Sequence, residues 1–97
     1  MPKLIVYYPR HDGCSFDRGY YEAKHVPMVS EGWGPLGLTG AEIAWPADEG
    51  QPFACHATLE FADASAIDAA LGSAATAGIL ADVANFTDIQ PGIYRSA

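Results

Sequence analysis

Hydrophobic residues alternate with polar ones in some stretches of the chain and form short continuous runs in others. Residues 3–8 are a β-branched and aromatic run that stops at Pro9, which predicts a first strand. Residues 53–61 alternate with a period of two, which predicts a strand with one apolar and one more polar face. The apolar face would carry Phe53, Cys55, Ala57, Leu59 and Phe61, and the other face Ala54, His56, Thr58 and Glu60.

A first helix should follow the first strand. We expect it to begin near Ser15, a good N-cap, with Asp17 in its first turn at the positive end of the helix dipole. Because helical neighbours lie three or four residues apart, Asp17, Tyr21 and His25 share one face. Pro27 cannot donate a backbone hydrogen bond, and its ring crowds the preceding turn. The helix should therefore kink or end beside His25 and leave room there for a pocket.

The remaining elements follow from similar signals. Residues 38–45 predict a second strand, residues 64–71 a second helix and residues 76–83 a short helical turn. A fourth strand is expected over residues 86–94. Pro91 lies inside that range, so the fourth strand should be at an edge of the sheet.

The predicted order β-α-β-β-α-β has a known consequence for the fold. With right-handed crossovers it gives a four-stranded antiparallel sheet with both helices on one face, an α+β, ferredoxin-like fold. Residues 1–97 are enough for a single domain. The open sheet face would carry Ala54 and Thr58 and is too apolar to face water. A second copy should cover it and form an obligate homodimer.

Composition and charge narrow the classes of partner. The net charge of −7 repels phosphate backbones, so we expect no nucleic-acid partner. No apolar stretch approaches the roughly 20 residues that span a bilayer, and no leader segment is evident, so we expect a cytoplasmic protein without membrane contact. Cys14 and Cys55 are too few for a disulfide framework, which favours free thiols but leaves a single bridge open.

His25 is the main candidate for chemistry. An imidazole, with an ordinary pKa of about 6.5, can both take and give a proton near neutrality. Tyr21, one turn earlier, could orient it or stabilise an oxyanion. Spacing alone favours ordinary packing roles for both residues, with their polar atoms hydrogen-bonded.

Several motifs together resemble one protein family. They are a strand ending in YP, the segment FD..YY...H.PM, a glycine-rich connection with Trp33, a second helix led by F.D, and DVANFTDIQP near the C-terminus. In this order and spacing they resemble the EthD family, named from ethyl tert-butyl ether degradation and part of the dimeric α+β barrel superfamily. The resemblance covers nearly the whole chain. It implies the fold and dimer given above, with a pocket between helices and sheet.

The resemblance also implies roles for individual residues. Related barrels include a methylmuconolactone methylisomerase, polyketide cyclases and cofactor-free monooxygenases, and in several of them a histidine matching His25 acts on a substrate proton. His25 is therefore the expected general acid/base, and Tyr21 its partner. Further candidates for ligand contact are Tyr8, Tyr20, Trp33, Asn85 and Phe86. Of these, Asn85 could instead cap the preceding turn, and Trp33, with Trp45, could be plain core or dimer contacts.

We expect no cofactor and no metal. His11, Asp12 and His56 lack the spacing of a metal-ligand pair. Haem on His25 is disfavoured because the asparagine and tryptophan pattern of small haem-degrading relatives is not recognisable. Met1-Pro2 is like the start of a tautomerase, but nothing else in the chain matches one.

Two functional hypotheses follow. The first is a cofactor-independent enzyme, an isomerase, a cyclase or a monooxygenase, that acts on a small apolar or oxygenated molecule of a degradation pathway. The second is a protein that binds such a molecule without transforming it, because a pocket with apolar walls and a few polar groups serves both roles.

Overall fold

The computed structural model describes residues 1–97 and has the expected order of elements. The elements are β1 Lys3–Pro9, α1 Arg18–Tyr20, a π turn Tyr21–His25, α2 Val26–Trp33, a 3-10 turn Gly34–Leu36, β2 Leu38–Ala44, β3 Phe53–Phe61, α3 Ala64–Leu71, α4 Ala74–Asp82, a 3-10 turn Val83–Asn85 and β4 Gly92–Ser96. The sheet has the strand order β2-β3-β1-β4, and all neighbouring strands are antiparallel. The predicted α+β, ferredoxin-like fold is confirmed.

The core lies between the helices and one face of the sheet. Leu4 from β1 and Phe61 from β3 are fully buried, and they belong to one cluster with Trp33 of α2 and Ile67 of α3. Fully burying a side chain of this size contributes about 1.5–3 kcal/mol. These contacts fix the helices against the sheet.

The first helix begins at a different residue from the one predicted. Its N-cap is Asp17, whose carboxylate accepts a hydrogen bond from the backbone N–H of Tyr20 at 3.0 Å. Ser15 is instead tied to the C-terminal segment: its N–H donates to Asp88 at 3.0 Å, and its carbonyl accepts from the Thr87 hydroxyl at 2.6 Å. The expected role of Asp17 at the helix start is confirmed, and the Ser15 cap is wrong.

The first helix also does not end at Pro27. Residues Tyr21–His25 form a π turn in which the N–H of Val26 donates to the carbonyl of Tyr21, five residues back. The helix then continues through Pro27 to Trp33. A widened turn just before a proline relieves the crowding that its ring causes in a regular helix. The chain therefore passes the proline without breaking.

A β-bulge makes the faces of β3 differ from the prediction at the start of the strand. The pairing of β1 with β3 shifts register between Tyr8 and Pro9, and Ala54 has no partner on β1. Ala54 is consequently buried in a cluster with Tyr8, whereas Phe53 packs against Tyr7 at 5.4 Å between ring centroids. Because Ala54 is an extra residue in β3, the side chains before it point to the opposite face from the one that strict alternation predicts. The predicted faces hold from residue 55 onward and are exchanged for Phe53 and Ala54.

The fourth strand is shorter than predicted. It covers Gly92–Ser96 rather than residues 86–94, and Pro91 precedes it. The strand is indeed at an edge, but its place in the sheet order, not Pro91, puts it there. In the segment before it, Phe86 and Ile89 are buried in the core.

The helical turn predicted over residues 76–83 is a full helix, α4, over Ala74–Asp82. None of the helices is by itself long and apolar enough to cross a membrane, although Ala64–Leu71 and Ala74–Asn85, bent by 71°, meet the length and composition test as a pair.

The sheet face opposite the helices is partly aromatic. Ile5 and Tyr7 of β1 lie on it, next to Phe53 of β3 and Tyr94 of β4. The Tyr7 ring lies over Gly92, where a Cβ would collide with it. Tyr94 is 54% exposed. Tyr7 and Phe53 are half-buried, whereas Ile5 is buried by its neighbours. The aromatic side chains of this face are therefore left partly uncovered by the rest of the chain.

Candidate functional site

A pocket lies between the first helix, the sheet and α4. Its cavity volume is about 50 Å³, and the empty space with the open mouth included is about 560 Å³. Thirteen of its sixteen lining residues are hydrophobic, among them Val29, Ile43, Leu59 and Ile79. A space of this kind exceeds what a single water molecule needs. It suits a small apolar molecule.

His25 lies in the wall of this pocket at the end of the π turn. The residue is 4% exposed, and its Nδ1 atom is 2.9 Å from Oδ2 of Asp82. The Tyr21 ring stacks on the imidazole at 5.4 Å and 27°, and the Phe86 ring packs against it at 4.6 Å. Contacts on three sides therefore fix the orientation of the imidazole.

Asp82, the last residue of α4, receives three hydrogen bonds. Its Oδ1 accepts from the Tyr20 hydroxyl at 2.7 Å and from the Asn85 amide at 3.1 Å, while Oδ2 faces His25. Burial pushes the pKa of Asp82 upward, but the hydrogen bonds from Tyr20, His25 and Asn85 outweigh it and hold the pKa below its ordinary value. The carboxylate is therefore ionised at neutral pH.

The ionised carboxylate determines which nitrogen of His25 carries the proton. A carboxylate can only accept hydrogen bonds, so Nδ1 of His25 must donate. Nε2 makes no hydrogen bond within the protein. Every fully buried side-chain nitrogen or oxygen has a hydrogen-bond partner, so Nε2 cannot be one of the fully buried atoms. Nε2 therefore keeps contact with open space, and the pocket is the space that His25 lines. Its lone pair can accept a proton from a molecule bound there.

Tyr8 and Tyr21 line the pocket beside His25 and remain protonated. Burial, followed by the neighbouring Cys55, raises the pKa of Tyr8. Burial, then Cys55 and Tyr8, raises the pKa of Tyr21. Burial also raises the pKa of Cys55 to about 11. These groups can donate hydrogen bonds but cannot act as bases near neutral pH.

The structure places the predicted site residues in and behind the wall of the pocket, in two layers. His25, Tyr21, Tyr8 and Trp33 line the pocket. Tyr20 and Asn85 lie behind it and contact Asp82. Phe86 packs on His25. Asn85 therefore neither caps the turn nor points into the pocket.

Asp82 is the functional candidate that the sequence analysis missed. It is the first residue of the motif DVANFTDIQP, and it stands three residues before Asn85. Residues with this spacing share a face of a helix. The signal was a carboxylate and an amide on one helical face, but the helix itself was predicted only as a short turn.

The other candidates lie away from the pocket. Trp45 packs on Tyr21 at 5.5 Å and does not line it. His11 is 3.6 Å from Asp88 at the surface, and His56 lies on the open sheet face. Cys14 and Cys55 are free thiols. No three His, Cys, Asp or Glu side chains lie close enough to hold a metal ion together.

Comparison with known proteins gives a consistent picture. The EthD domain matches residues 15–90. The structure is similar to that of an EthD-like protein from Ralstonia eutropha, with 31% identity, a TM-score of 0.81 and coverage of 98% of this chain and 88% of that one. A search of curated proteins finds no match.

Two more distant structures share the fold. One is SnoaB, a cofactor-independent oxygenase from Streptomyces nogalater, with 10% identity, a TM-score of 0.69 and coverage of 99% and 91% of the two chains. The other is a dimeric ferredoxin-like protein of unknown function from Jannaschia, with 14% identity, a TM-score of 0.69 and coverage of 99% and 97%. On the match over residues 15–90 and the 31% identity, this chain belongs to the EthD family.

Proposed function

We propose that this EthD-family protein is a cofactor-independent enzyme that moves a proton on a small, largely apolar, oxygenated organic molecule. The observation that carries the proposal is the buried pair of His25 and Asp82, joined by 2.9 Å at the wall of an apolar pocket. A pocket that only stores a ligand has no need for an ionised carboxylate behind its histidine, because burying that charge is costly.

The proposed chemistry uses each nitrogen of the imidazole separately. Nε2 of His25 takes a proton from a carbon next to a carbonyl of the bound molecule, which leaves an enolate and an imidazolium. The carboxylate of Asp82 stabilises the imidazolium and holds its ring in place. The phenol of Tyr21, which stays protonated, donates a hydrogen bond to the enolate oxygen. The imidazolium then returns the proton to another position, which completes an isomerisation.

Two further observations support a cofactor-free reaction. The steps above need only an acid/base group and a hydrogen-bond donor, both of which the pocket provides. SnoaB, which shares this fold at 10% identity, is a cofactor-independent oxygenase. An oxygenase variant of the reaction would start with the same proton removal, and uptake of oxygen would distinguish it.

The proposal can be tested without knowing the natural substrate. 2-Tetralone is uncharged, largely apolar and carries acidic C–H bonds next to one carbonyl. In D2O the wild-type protein should speed the exchange of these protons for deuterium, measured by NMR. His25→Gln should reduce the catalysed rate by about 100-fold or more, the typical contribution of an acid/base group.

The control is the same substitution on the opposite face of the sheet. His56→Gln leaves the pocket unchanged, because His56 lies among the side chains of the open face. It should retain the wild-type exchange rate. If 2-tetralone binds but its protons exchange no faster than in buffer, the proposal fails, and the hypothesis of a protein that binds without transforming its ligand is favoured.

We also propose that residues 1–97 form a single domain that assembles as a homodimer through the open sheet face. Tyr7 and Phe53 are half-buried on that face, and Tyr94, at 54% exposure, extends it to the edge strand. An uncovered apolar face of this kind marks an interface. The Jannaschia protein with the same fold is dimeric.

Two adjacent residues of β4 provide a matched test of the dimer. Tyr94 is 54% exposed on the open face, and Ile93 is 52% exposed on the helix side of the same strand. Tyr94→Asp should shift the protein to a monomer in light scattering at micromolar concentration, whereas Ile93→Asp should remain a dimer. A wild-type protein that is monomeric under these conditions would contradict the proposal.

A further inference from the structure

We infer that the pocket selects uncharged ligands and rejects carboxylates; this inference deepens the proposed function and rests on it for the identity of the site. The starting observation is the charge of the pocket wall. None of its sixteen lining residues is Lys, Arg, Asp or Glu, and the polar groups in the wall are neutral donors and the His25 imidazole.

The basic side chains of the protein are engaged elsewhere. Arg10 donates to the carbonyl of Gln51, Arg18 lies over the ring of Trp45, and Arg95 is paired with Asp68. Lys3 and Lys24 also lie outside the wall. A bound anion would therefore find no lysine or arginine side chain in the pocket.

Negative charges near the pocket also disfavour the binding of a carboxylate. The ionised carboxylate of Asp82 stands directly behind His25. Asp82 is also the last residue of α4, whose C-terminal end carries the partial negative charge of the helix dipole, and Ile79 and Val83 of this end line the pocket. A ligand carboxylate would lose its hydration and meet a negative potential.

The mouth of the pocket favours the same class of molecule. Ser30, Ala41 and Leu80 are exposed lining residues, and Leu80 is 59% exposed. The route into the pocket is thus as uncharged as its interior. The ligand that fits is a neutral, compact, largely apolar molecule with one hydrogen-bonding oxygen that reaches His25.

A pair of probes of nearly equal shape tests this inference. 2-Naphthamide and 2-naphthoate differ mainly in charge. We expect the amide to bind and to shift the NMR signals of the His25 ring, and the carboxylate to bind at least about 100-fold more weakly, which corresponds to about 2.8 kcal/mol at 1.4 kcal/mol for each factor of ten. Titration calorimetry gives both affinities.

A designed cation should reverse the preference. Ser30→Lys places an amine at the mouth of the pocket and adds one positive charge; it should tighten 2-naphthoate binding relative to 2-naphthamide binding by about tenfold or more. Glu31→Gln is the matched control, because it changes the net charge by the same amount at an exposed residue that does not line the pocket. It should leave both affinities unchanged.

Each outcome decides the inference. Equal affinities for the two probes, no binding of the amide near His25, or equal effects of the two substitutions would overturn it. Binding selectivity does not require turnover, so the inference can hold while proton exchange on 2-tetralone is absent, which would refute the proposed function alone. Exchange with unselective binding would refute the inference alone.

Discussion

His25 and Asp82 form a buried hydrogen-bonded pair between the first helix and α4. Their atoms Nδ1 and Oδ2 are 2.9 Å apart, and each side chain is only 5% exposed. Fifty-seven residues separate them in the chain, so the fold alone brings them together. The pair leaves Nε2 of the imidazole available to the pocket, and this is the basis of the proposed chemistry.

Replacing Asp82 should impair both the reaction and the stability of the fold. In Asp82→Asn the amide can still form a hydrogen bond, but it no longer stabilises an imidazolium or requires Nδ1 to donate. We expect the rate of deuterium exchange on 2-tetralone to fall by about 100-fold. The free energy of unfolding should fall by about 1–3 kcal/mol.

Tyr20→Phe should have a smaller effect on the exchange rate than Asp82→Asn. It removes only one of the hydrogen bonds to Asp82, which should lower the free energy of unfolding by about 1.5–3 kcal/mol. Because His25 keeps its own bond to the carboxylate, the exchange rate should fall by less than the ~100-fold expected for Asp82→Asn. An Asp82→Asn protein that exchanges at the wild-type rate would contradict the positioning role.

Asp82 should also make the fold sensitive to acid. Because its pKa is lower in the folded chain than in the unfolded one, the ionised carboxylate stabilises the folded state. This contribution is fully present above the ordinary aspartate pKa of about 3.9 and is lost as pH falls through the lower folded value. Urea unfolding between about pH 5 and 2 should show a steeper loss of stability for wild type than for Asp82→Asn. If the free energy of unfolding fell with pH equally in wild type and Asp82→Asn, Asp82 would not contribute to the acid sensitivity of the fold.

Tyr8 and Tyr21 should make the fold sensitive to alkali. Their folded pKa values are raised, so they stabilise the fold fully below the ordinary tyrosine pKa of about 10, and that contribution is lost as pH rises above it. Their tyrosinate absorbance should appear only when the fold is lost. In Tyr21→Phe this late step should lose the absorbance of one tyrosine. Ionisation of all tyrosines with the far-UV circular dichroism intact would be the contrary result.

The two thiols should differ in reactivity. Cys55 is fully buried and its pKa is raised to about 11, whereas Cys14 is partly exposed. Because the thiolate is the reactive form, Cys55 should react far more slowly with a disulfide reagent at pH 8. In urea both should react. Cys14→Ser isolates Cys55, and rapid modification of that folded variant would show that the buried cluster around Cys55 is open to solvent.

Most of the fold could be predicted from the sequence, because the local patterns and the global arrangement agree. The β-branched run of β1 and the alternation of β3 each fit one kind of element, and only one simple topology joins them. The errors lie where a tertiary contact overrides a local signal. Ser15 is an adequate cap, but its backbone is held by Thr87 and Asp88.

The candidate site was predicted in part for the same reason. His25 and Tyr21 stand out because they share a helical row, which is local information. Asp82 could not be assigned to His25, since their contact depends on how α4 packs against the first helix. The π turn also could not be predicted from the spacing of apolar residues, because it adds only one residue to a single turn of the helix.

The most direct test of the account is the state of the two His25 nitrogens, measured by long-range proton–nitrogen NMR on histidine-labelled protein at neutral pH. We expect that Nδ1 of His25 carries a proton donated to Asp82, that the Nε2 signal shifts when 2-naphthamide binds, and that Asp82→Asn removes the preference for this tautomer. A proton on Nε2 and none on Nδ1 in the wild-type protein, or an Nε2 signal indifferent to a bound probe, would contradict it.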